Sequence, residues 1–443
     1  MFYTYKIAVD HQPVIIGRAI YGDPRIHHGV FFYYYNLIPF IISKGSFLAS
    51  IYWNVFFNTV TLLIIFALAK SMFKKNLPAI LSAFLVAISF QIIKFSNWLT
   101  IDTVAIFLIP LFYLGLWQYF QKKQWGLVLS FAALGLSIQT DLSFIYLIFV
   151  FLIYWVIFRP KFPDIKLAFL SILTFFATTS TLILTEIKLN FIGIRTMLNF
   201  SSTFTDTQLP LTERLRLFFQ DFGINFASNL FPSRSDLGIL IAGVIIFAVF
   251  YFLFRKETSK KERYGIYFLL LYLFSPAITL VLGYHQKPWF LIGLPPAIAL
   301  TSGYVISKLK SFFLIVPLVL IILFSNTNLI LERPLKAYEQ FGTIYDSTSY
   351  LAYQLAVVDY TYKDAGGKPF AINAVTYPLY YNGMWAYLYN WYGKNTYHYL
   401  PGWLGGDQLH PKKSELAKKA IPAGAQVELG VEFLTGVSKP DLI

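Results

Sequence analysis

Long apolar runs recur along most of this chain, and they constrain its fold more than any other feature. A bilayer core of about 30 Å is crossed by a helix of roughly 20 mostly apolar residues. Ten apolar segments occur, and the short one at 125–139 suggests a tilted or incomplete crossing. The segments are 48–69, 76–94, 101–120, 125–139, 142–158, 166–187, 237–254, 265–284, 288–306 and 311–331. The sequence therefore predicts a polytopic α-helical membrane protein with about ten transmembrane helices.

Composition supports this fold class. The 443 residues are 57% apolar and only 13% charged, whereas soluble domains carry about 25% charged residues. The chain has no cysteine, which excludes disulfides, thiolate nucleophiles and zinc–thiolate sites. A formal charge of +14 could suggest nucleic acid. However, most basic residues lie in short connections, where they set topology and meet anionic lipid, so we expect no nucleic-acid partner.

The basic residues also predict the orientation of the helices. Every second connection between the apolar segments is strongly basic. The short connections on the opposite side carry only Lys94 and Lys287 as basic residues. Basic connections face the cytoplasm, so segments 1–47, 94–100, 139–142, 188–236, 284–288 and all residues after 331 should be extracytoplasmic. The basic side carries Lys70, Lys74, Lys75, Lys122, Lys123, Arg159, Lys161, Lys166, Arg255, Lys256, Lys260, Lys261, Arg263, Lys308 and Lys310.

Three parts are predicted along the chain. Residues 1–47 form a first extracytoplasmic loop, and no preceding helix or signal peptide would carry this polar segment across the membrane. Either it crosses with the first span or Met1 is not the true start, and we expect a truncated start. Residues 48–331 form the membrane domain, with an outer loop at 188–236. There, apolar residues three and four apart predict a helix around 211–226, either at the membrane interface or in a small outer domain.

Residues 332–443 are predicted to form a small extracytoplasmic α/β domain. The stretch STSYLAYQLAVVDYTYKDAGG predicts a helix that ends at Gly366 and Gly367. KPFAINAV predicts a strand, GMWAYLYNWYGK a second helix and QVELGVEFL a late strand. The Trp and Tyr content suits carbohydrate stacking, although a small aromatic core is the stronger explanation.

Three motifs resemble the GT-C glycosyltransferases, especially protein O-mannosyltransferases of family 39 and lipid A aminoarabinose transferases. DHQPVIIGRAIYGDPRIHHGVFFYYYNLIP resembles the first outer loop of bacterial members. KFSNWLTIDTVAIFLIPLFYLGLW and YHQKPWFLIGLPPAIAL resemble later outer segments of these enzymes. The resemblance implies a glycosyltransferase in the plasma (inner) membrane. It would transfer a sugar from a polyprenyl-phosphate donor to an extracytoplasmic glycan, lipid or protein.

The family pattern predicts which residues act. Its acidic motif follows the first transmembrane helix, and this chain departs there, because Asp10 is the only acidic residue before the Ile-Gly pair. Asp10 is therefore a candidate base, although the true base could lie upstream of Met1, and Asp102 is the second catalytic candidate. A carboxylate can accept the acceptor proton, and cations or a divalent metal can offset charge on the leaving phosphate.

Residues for substrate or lipid-phosphate binding are predicted at outer helix ends. Each also has a plain structural explanation, as a loop residue, helix cap or interfacial anchor. No cofactor is certain, and a divalent metal stays possible without any ligand spacing that supports it. The candidates are His27, His28, Asp141, His285, Lys287 and Arg195.

Two alternatives to an active enzyme are open. A non-catalytic transporter or flippase of lipid-linked glycans would need a polar path through the helices, and the segments between 142 and 187 are nearly free of charge. The second alternative is an inactive family member.

Overall fold

The structure is a computed structural model that describes residues 1–20, 23–198, 210–281, 288–309, 311–332, 351–375, 383–403 and 430–432. The chain divides into two compact units. The first combines Met1–Val14, Asn36–Ala49 and Leu335–Ile443, and the second combines Ile15–Tyr35 and Ser50–Pro334. The segment 1–47, which we predicted to be one loop, thus contributes to both units.

Most described residues are helical, as predicted. Short 3₁₀ turns at Ile101–Val104 and Leu142–Ile145 precede α7 and α9. The helices are α1 Phe2–Ala8, α2 Phe31–Tyr35, α3 Leu37–Ile42, α4 Phe47–Phe73, α5 Asn76–Ile88, α6 Phe90–Ser96, α7 Ala105–Phe120, α8 Trp125–Thr140, α9 Tyr146–Phe158, α10 Ile165–Lys188, α11 Ile192–Leu198, α12 Leu211–Leu230, α13 Gly238–Phe254, α14 Lys260–Phe274, α15 Ile278–Val281, α16 Leu294–Ile306, α17 Phe312–Glu332, α18 Leu351–Asp364, α19 Gly383–Leu388 and α20 Lys394–Tyr397.

Within the described residues, six helical segments are long and apolar enough to cross a membrane, which supports an integral membrane protein. The bent pair α5–α6 gives a seventh if it counts as one span. The helices on predicted segments 125–139, 142–158 and 288–306 are shorter than these spans, so ten crossings stay a prediction. The six are Phe47–Phe73, Ile101–Phe120, Ile165–Lys188, Ser235–Phe254, Lys260–Leu280 and Phe312–Leu331.

The break between α5 and α6 bends the chain by 53°, where the sequence predicted one continuous segment. Ser89 caps α6 by accepting a hydrogen bond from the Ile92 N–H at 3.2 Å. The Phe90 N–H donates to Asn326 Oδ1 at 2.8 Å, and the Ser89 hydroxyl donates to Asn229 Oδ1 at 2.5 Å. Backbone groups freed by a break at membrane depth need such partners, because no water replaces them. The bend is therefore built into the fold.

Small residues let α8 approach both of its neighbours. A Cβ on Gly115 of α7 would collide with Ser130 of α8, and a Cβ on Gly126 of α8 would collide with the Gly115 carbonyl. On its other side, a Cβ on Gly135 would collide with Thr178 Oγ1 of α10. Such contacts hold membrane helices together by close packing, since lipid is as apolar as the side chains.

Helix α12 confirms the helix predicted in the outer loop. Phe218, Phe222 and Phe226 are buried, and the Phe222 ring stacks on Phe274 with centroids 5.6 Å apart. Leu211 and Phe219 are exposed. Burial of three apolar side chains within the protein favours an ordinary packed helix over one whose whole apolar face lies in the membrane interface.

The described part of the first unit contains a three-stranded parallel sheet, in which Ala371–Val375 lies between Gly402–Trp403 and Gly430–Glu432. The strands are β3 Ala371–Val375, β4 Gly402–Trp403 and β5 Gly430–Glu432, so the strands predicted in KPFAINAV and QVELGVEFL are confirmed. Helix α18 is followed by Gly366 and Gly367 with φ of 55° and 79°, which also agrees with the predicted helix end. Phe40, Tyr362, Tyr387 and Tyr389 contribute to the aromatic core of this unit.

Filling the contact at Gly135 should destabilise the bundle. We expect Gly135→Leu to cost about 1–3 kcal/mol, because a side chain there would push α8 and α10 apart. The matched control is Gly243→Leu on α13, where a Cβ meets nothing within 4 Å. Thermal unfolding in detergent, followed by size-exclusion fluorescence, measures both variants. An equal midpoint for the two variants would contradict the packing role of Gly135.

Candidate functional site

The candidate site begins with a loop of the second unit, residues 15–20 and 23–30, called here the site loop. Its hairpin pairs β1 (Ala19–Ile20) with β2 (Asp23–His27) in antiparallel orientation. The His28 N–H donates to the Arg18 carbonyl at 3.0 Å, and His27 Nδ1 lies 3.0 Å from the Gly17 carbonyl. Gly17 is required here, because a Cβ would collide with the His28 carbonyl. The loop thereby holds His28 in a defined position.

Gln139, near the end of α8, attaches the site loop to the helices. Its Oε1 accepts a hydrogen bond from the Val30 N–H at 3.1 Å. Its Nε2 donates to the Thr178 carbonyl on α10 at 2.8 Å. A third contact fixes the other end of the loop, where the Thr185 hydroxyl donates to the Ile15 carbonyl at 3.0 Å.

Asp141 directly follows α8. Its Oδ1 accepts a hydrogen bond from the Ser143 N–H at 2.7 Å, so the carboxyl group caps the next turn. Its exposed fraction is only 7%. Asp141 therefore has the capping role that the sequence predicted, and its carboxyl group is also part of the candidate site.

Asp102 lies in the 3₁₀ turn that leads into α7, with an exposed fraction of 6%. The Thr100 hydroxyl donates to Asp102 Oδ2 at 3.1 Å. The turn is held by Thr103, whose hydroxyl donates to the Thr100 carbonyl at 2.8 Å. Asp102 Oδ1 is buried without a hydrogen-bond donor of good geometry among the described residues.

Asp102, Asp141 and His28 form one electrostatic cluster with Arg18. The carboxyl groups of Asp102 and Asp141 lie close enough to interact, and the charge of Arg18 acts on both Asp102 and His28. Two neighbouring carboxyl groups repel each other when both are charged, and the positive charge of Arg18 acts against this repulsion. Arg18 itself is exposed, which leaves its guanidinium accessible to a ligand.

Burial lowers the pKa of His28 to about 4; the Asp141 carboxylate opposes this shift, whereas the charges of Arg18 and His27 add to it. The imidazole is therefore neutral near pH 7 and can donate one hydrogen bond and accept another. Its Nδ1 is buried and has no partner within the part of the chain that the structure describes. His28 thus offers a neutral polar contact beside the carboxyl pair.

Among the other predicted site residues, His27 acts on His28 through its charge. Asp10 is half-buried and belongs to the first unit. His27 is half-buried on β2, and Arg195 is exposed on α11. His285 and Lys287 lie outside the described residues. No group of three or more His, Cys, Asp or Glu residues in the described ranges has a metal-holding arrangement.

Sequence reasoning missed Arg18, Thr100 and Gln139. Arg18 could have been found, because it is the cation next to Gly17 in the same loop as His28. Thr100 and Gln139 gave no such signal. Both act through contacts that become visible only when α7, α8 and the site loop are assembled.

Comparison with known proteins agrees with the resemblance found in the sequence. Residues 27–184 match the family model described as dolichyl-phosphate-mannose-protein mannosyltransferase, which confirms a GT-C-type resemblance over that segment. The segment includes His28, Asp102 and Asp141. No curated protein sequence matches the chain.

Among solved structures, the fold aligns with the archaeal oligosaccharyltransferase AglB from Archaeoglobus fulgidus, in complex with an inhibitory peptide and a dolichol-phosphate. The alignment has a TM-score of 0.46 and 13% sequence identity, and it covers 90% of this chain. This chain spans 60% of the length of that protein.

The lowered pKa of His28 predicts an acid-sensitive stability. Unfolding restores the ordinary imidazole pKa of about 6.5. Between pH 6.5 and about 4, the unfolded chain therefore binds more protons at His28 than the folded chain does. The free energy of unfolding consequently decreases as the pH falls through this range. We expect His28→Asn to weaken this dependence of the unfolding midpoint in that range. The control is His398→Asn at an exposed site. Identical pH profiles for wild type and His28→Asn would contradict the assignment.

Proposed function

We propose that this chain is a membrane glycosyltransferase of the plasma (inner) membrane. It transfers a sugar from a polyprenyl-phosphate donor to an acceptor on the extracytoplasmic side. One observation carries the proposal: a buried pair of carboxyl groups, Asp102 and Asp141, adjoins a neutral His28 within the segment that matches the mannosyltransferase family model. Ionisable groups that are buried and act on each other cluster at catalytic sites, which supports a catalytic role for this pair.

The proposed reaction is a substitution at the anomeric carbon of the donor sugar. The acceptor hydroxyl or amine attacks this carbon, and the bond from the carbon to the phosphate oxygen breaks. The bonding electron pair leaves with the polyprenyl phosphate. Asp102, as general base, takes the acceptor proton through a hydrogen bond that tightens as attack proceeds.

The surrounding groups take different roles in this proposal. Asp141 helps orient the acceptor from the end of α8, where its other contact is to the Ser143 N–H. His28 contacts the sugar or phosphate without adding charge. Arg18 offsets the negative charge that grows on the leaving phosphate, because an exposed guanidinium can bind two phosphate oxygens at once. His27, Arg195, His285 and Lys287 stay proposals for phosphate contact.

Loss of the proposed base should abolish most transfer. We expect Asp102→Asn to lower the rate of sugar transfer by about 10²–10⁴-fold, as for other general bases, and Asp141→Asn to lower it as well. The matched control is Asp236→Asn, an exposed carboxylate that pairs with Arg234 at 2.9 Å. The assay uses purified full chain in liposomes with radiolabelled polyprenyl-phosphate sugars and a panel of acceptors.

Two results would contradict the proposal. Asp102→Asn with wild-type transfer would remove the assigned base. Vectorial movement of lipid-linked glycan across the liposome membrane, with no transfer to any acceptor, would establish the transporter alternative instead.

A further inference from the structure

The first unit contains a cavity of about 390 Å³ that the proposed reaction does not use. Its wall combines aromatic rings with amide groups, and two lysines, Lys44 and Lys394, line it as well. No Asp or Glu is among the described residues that line it. Neither lysine forms an ion pair with any described carboxylate, so both positive charges are available to a ligand. The cavity is therefore electrostatically suited to an anion.

A fixed turn presents Lys44 to the cavity. The Gly45 N–H donates to the Phe40 carbonyl at 2.8 Å, and the Ser46 N–H donates to Ser43 Oγ at 3.0 Å. Gly45 has φ of +91°, and the Tyr387 hydroxyl donates to its carbonyl. Lys44 itself has φ of 55°, an uncommon conformation for a residue with a side chain. The backbone that carries this cation is thus already ordered for binding.

The opposite wall is equally well ordered. Tyr389–Gly393 forms a π-helical turn, a feature common at functional sites, and Lys394 follows it directly. The Trp391 ring stacks on Tyr387 with centroids 6.0 Å apart and planes 11° apart. Asn390 contributes an amide to the same wall. Aromatic rings with a polar handle are typical of the membrane–water interface.

The position of the cavity along the chain places it at a membrane boundary. Gly45 lies two residues before Phe47, the first residue of a candidate membrane span, and two residues span less than about 8 Å. On α3, Ile38, Ile41 and Ile42 lie on one face and have exposed fractions of 52%, 63% and 79%. Ile41 also lines the cavity. An apolar surface therefore continues from the cavity wall.

We propose that this cavity binds the phosphate headgroup of an anionic phospholipid. Lys44 and Lys394 contact the phosphate, Asn390 donates to the headgroup, and the acyl chains run over Ile41 and its exposed neighbours. A soluble anion would bind the two lysines but would leave the exposed isoleucines in contact with solvent. The combination of unpaired cations and an adjoining apolar face selects a lipid over a free phosphate or glycan.

Lipid titration of the purified full chain tests this proposal. Native mass spectrometry in detergent would follow binding of dioctanoyl phosphatidylglycerol and of dioctanoyl phosphatidylcholine. We expect tighter binding of the anionic lipid and a loss of about 30-fold in the double variant Lys44→Gln/Lys394→Gln, since each lysine contributes about fivefold near an anionic surface. The matched control, Lys363→Gln/Lys368→Gln, removes two exposed charges of the same unit that do not line the cavity.

A third variant separates the cavity from general surface attraction. Val9 lines the cavity and is exposed, so Val9→Trp should fill the space without changing charge or burying a new group in the core. We expect this variant to lose phosphatidylglycerol binding while it keeps the unfolding midpoint of the wild type. Wild-type affinity in Val9→Trp, or equal losses in the two lysine double variants, would overturn the proposal.

The source of the anion is tested with the deacylated headgroup, glycerophosphoglycerol, and with inorganic phosphate. We expect both to bind at least tenfold more weakly than the lipid, because neither covers Ile38, Ile41 and Ile42. If either binds as tightly as phosphatidylglycerol, the ligand is a soluble anion and the lipid assignment is wrong. These measurements need no glycosyl transfer, so their outcome is independent of the proposed enzyme activity.

Discussion

The side-chain amide of Gln139 is the interaction on which the arrangement of the candidate site depends. Its oxygen accepts hydrogen bonds from the Val30 N–H and the Thr181 hydroxyl, and its nitrogen donates to the Thr178 carbonyl. Val30 lies two residues after His28, and Asp141 lies two residues after Gln139. The Gln139 amide thus fixes the positions of both the His28 imidazole and the Asp141 carboxyl group. Leaving any of these buried groups unpaired would cost about 1–3 kcal/mol.

The close packing of α7 and α8 explains why two carboxyl groups far apart in sequence share one site. A connection of four residues joins the two helices, so the chain reverses and the start of α7 lies at the same end as the finish of α8. Asp102 precedes α7 and Asp141 follows α8, which brings both to that end. The glycine contacts at Gly115 and Gly126 keep the helices close along their length. The fold alone therefore sets the approach of the carboxyl pair.

Sequence patterns predicted the helical segments well, because apolar runs of the right length report burial in lipid or protein directly. They did not predict the break at Ser89, whose stabilising partners Asn229 and Asn326 lie far along the chain. Local pattern cannot reveal a hydrogen bond between residues 90 and 326. The division of segment 1–47 between two units escaped prediction for the same reason, since it depends on packing against residues after 334.

The candidate site was predictable in part. Placement at helix ends singled out Asp102 and Asp141, and the family resemblance singled out His28. The structure brings these three residues into one electrostatic cluster. It places Asp10 in the other unit and adds Arg18. Asp102, Asp141 and His28 come together because the chain reverses between α7 and α8 and because hydrogen bonds hold the site loop in place. Neither feature can be recognised from a local sequence motif.

Two buried atoms of the cluster bear on the contacts that the proposed substrate would make. Among the described residues, His28 Nδ1 has no hydrogen-bond partner and Asp102 Oδ1 has no N–H or hydroxyl donor, although the carboxyl groups of Asp102 and Asp141 lie within hydrogen-bonding reach of each other. A buried polar atom without a partner costs folding free energy. Native proteins keep few unpaired buried groups, and a catalytic role is one of the explanations for those they keep. A ligand hydroxyl could donate to Asp102 Oδ1, and a ligand group could meet His28 Nδ1 in either imidazole tautomer. In the proposed reaction, an acceptor hydroxyl that donates to Asp102 Oδ1 is placed to lose its proton to this carboxylate, and His28 Nδ1 offers a second polar contact to the substrate.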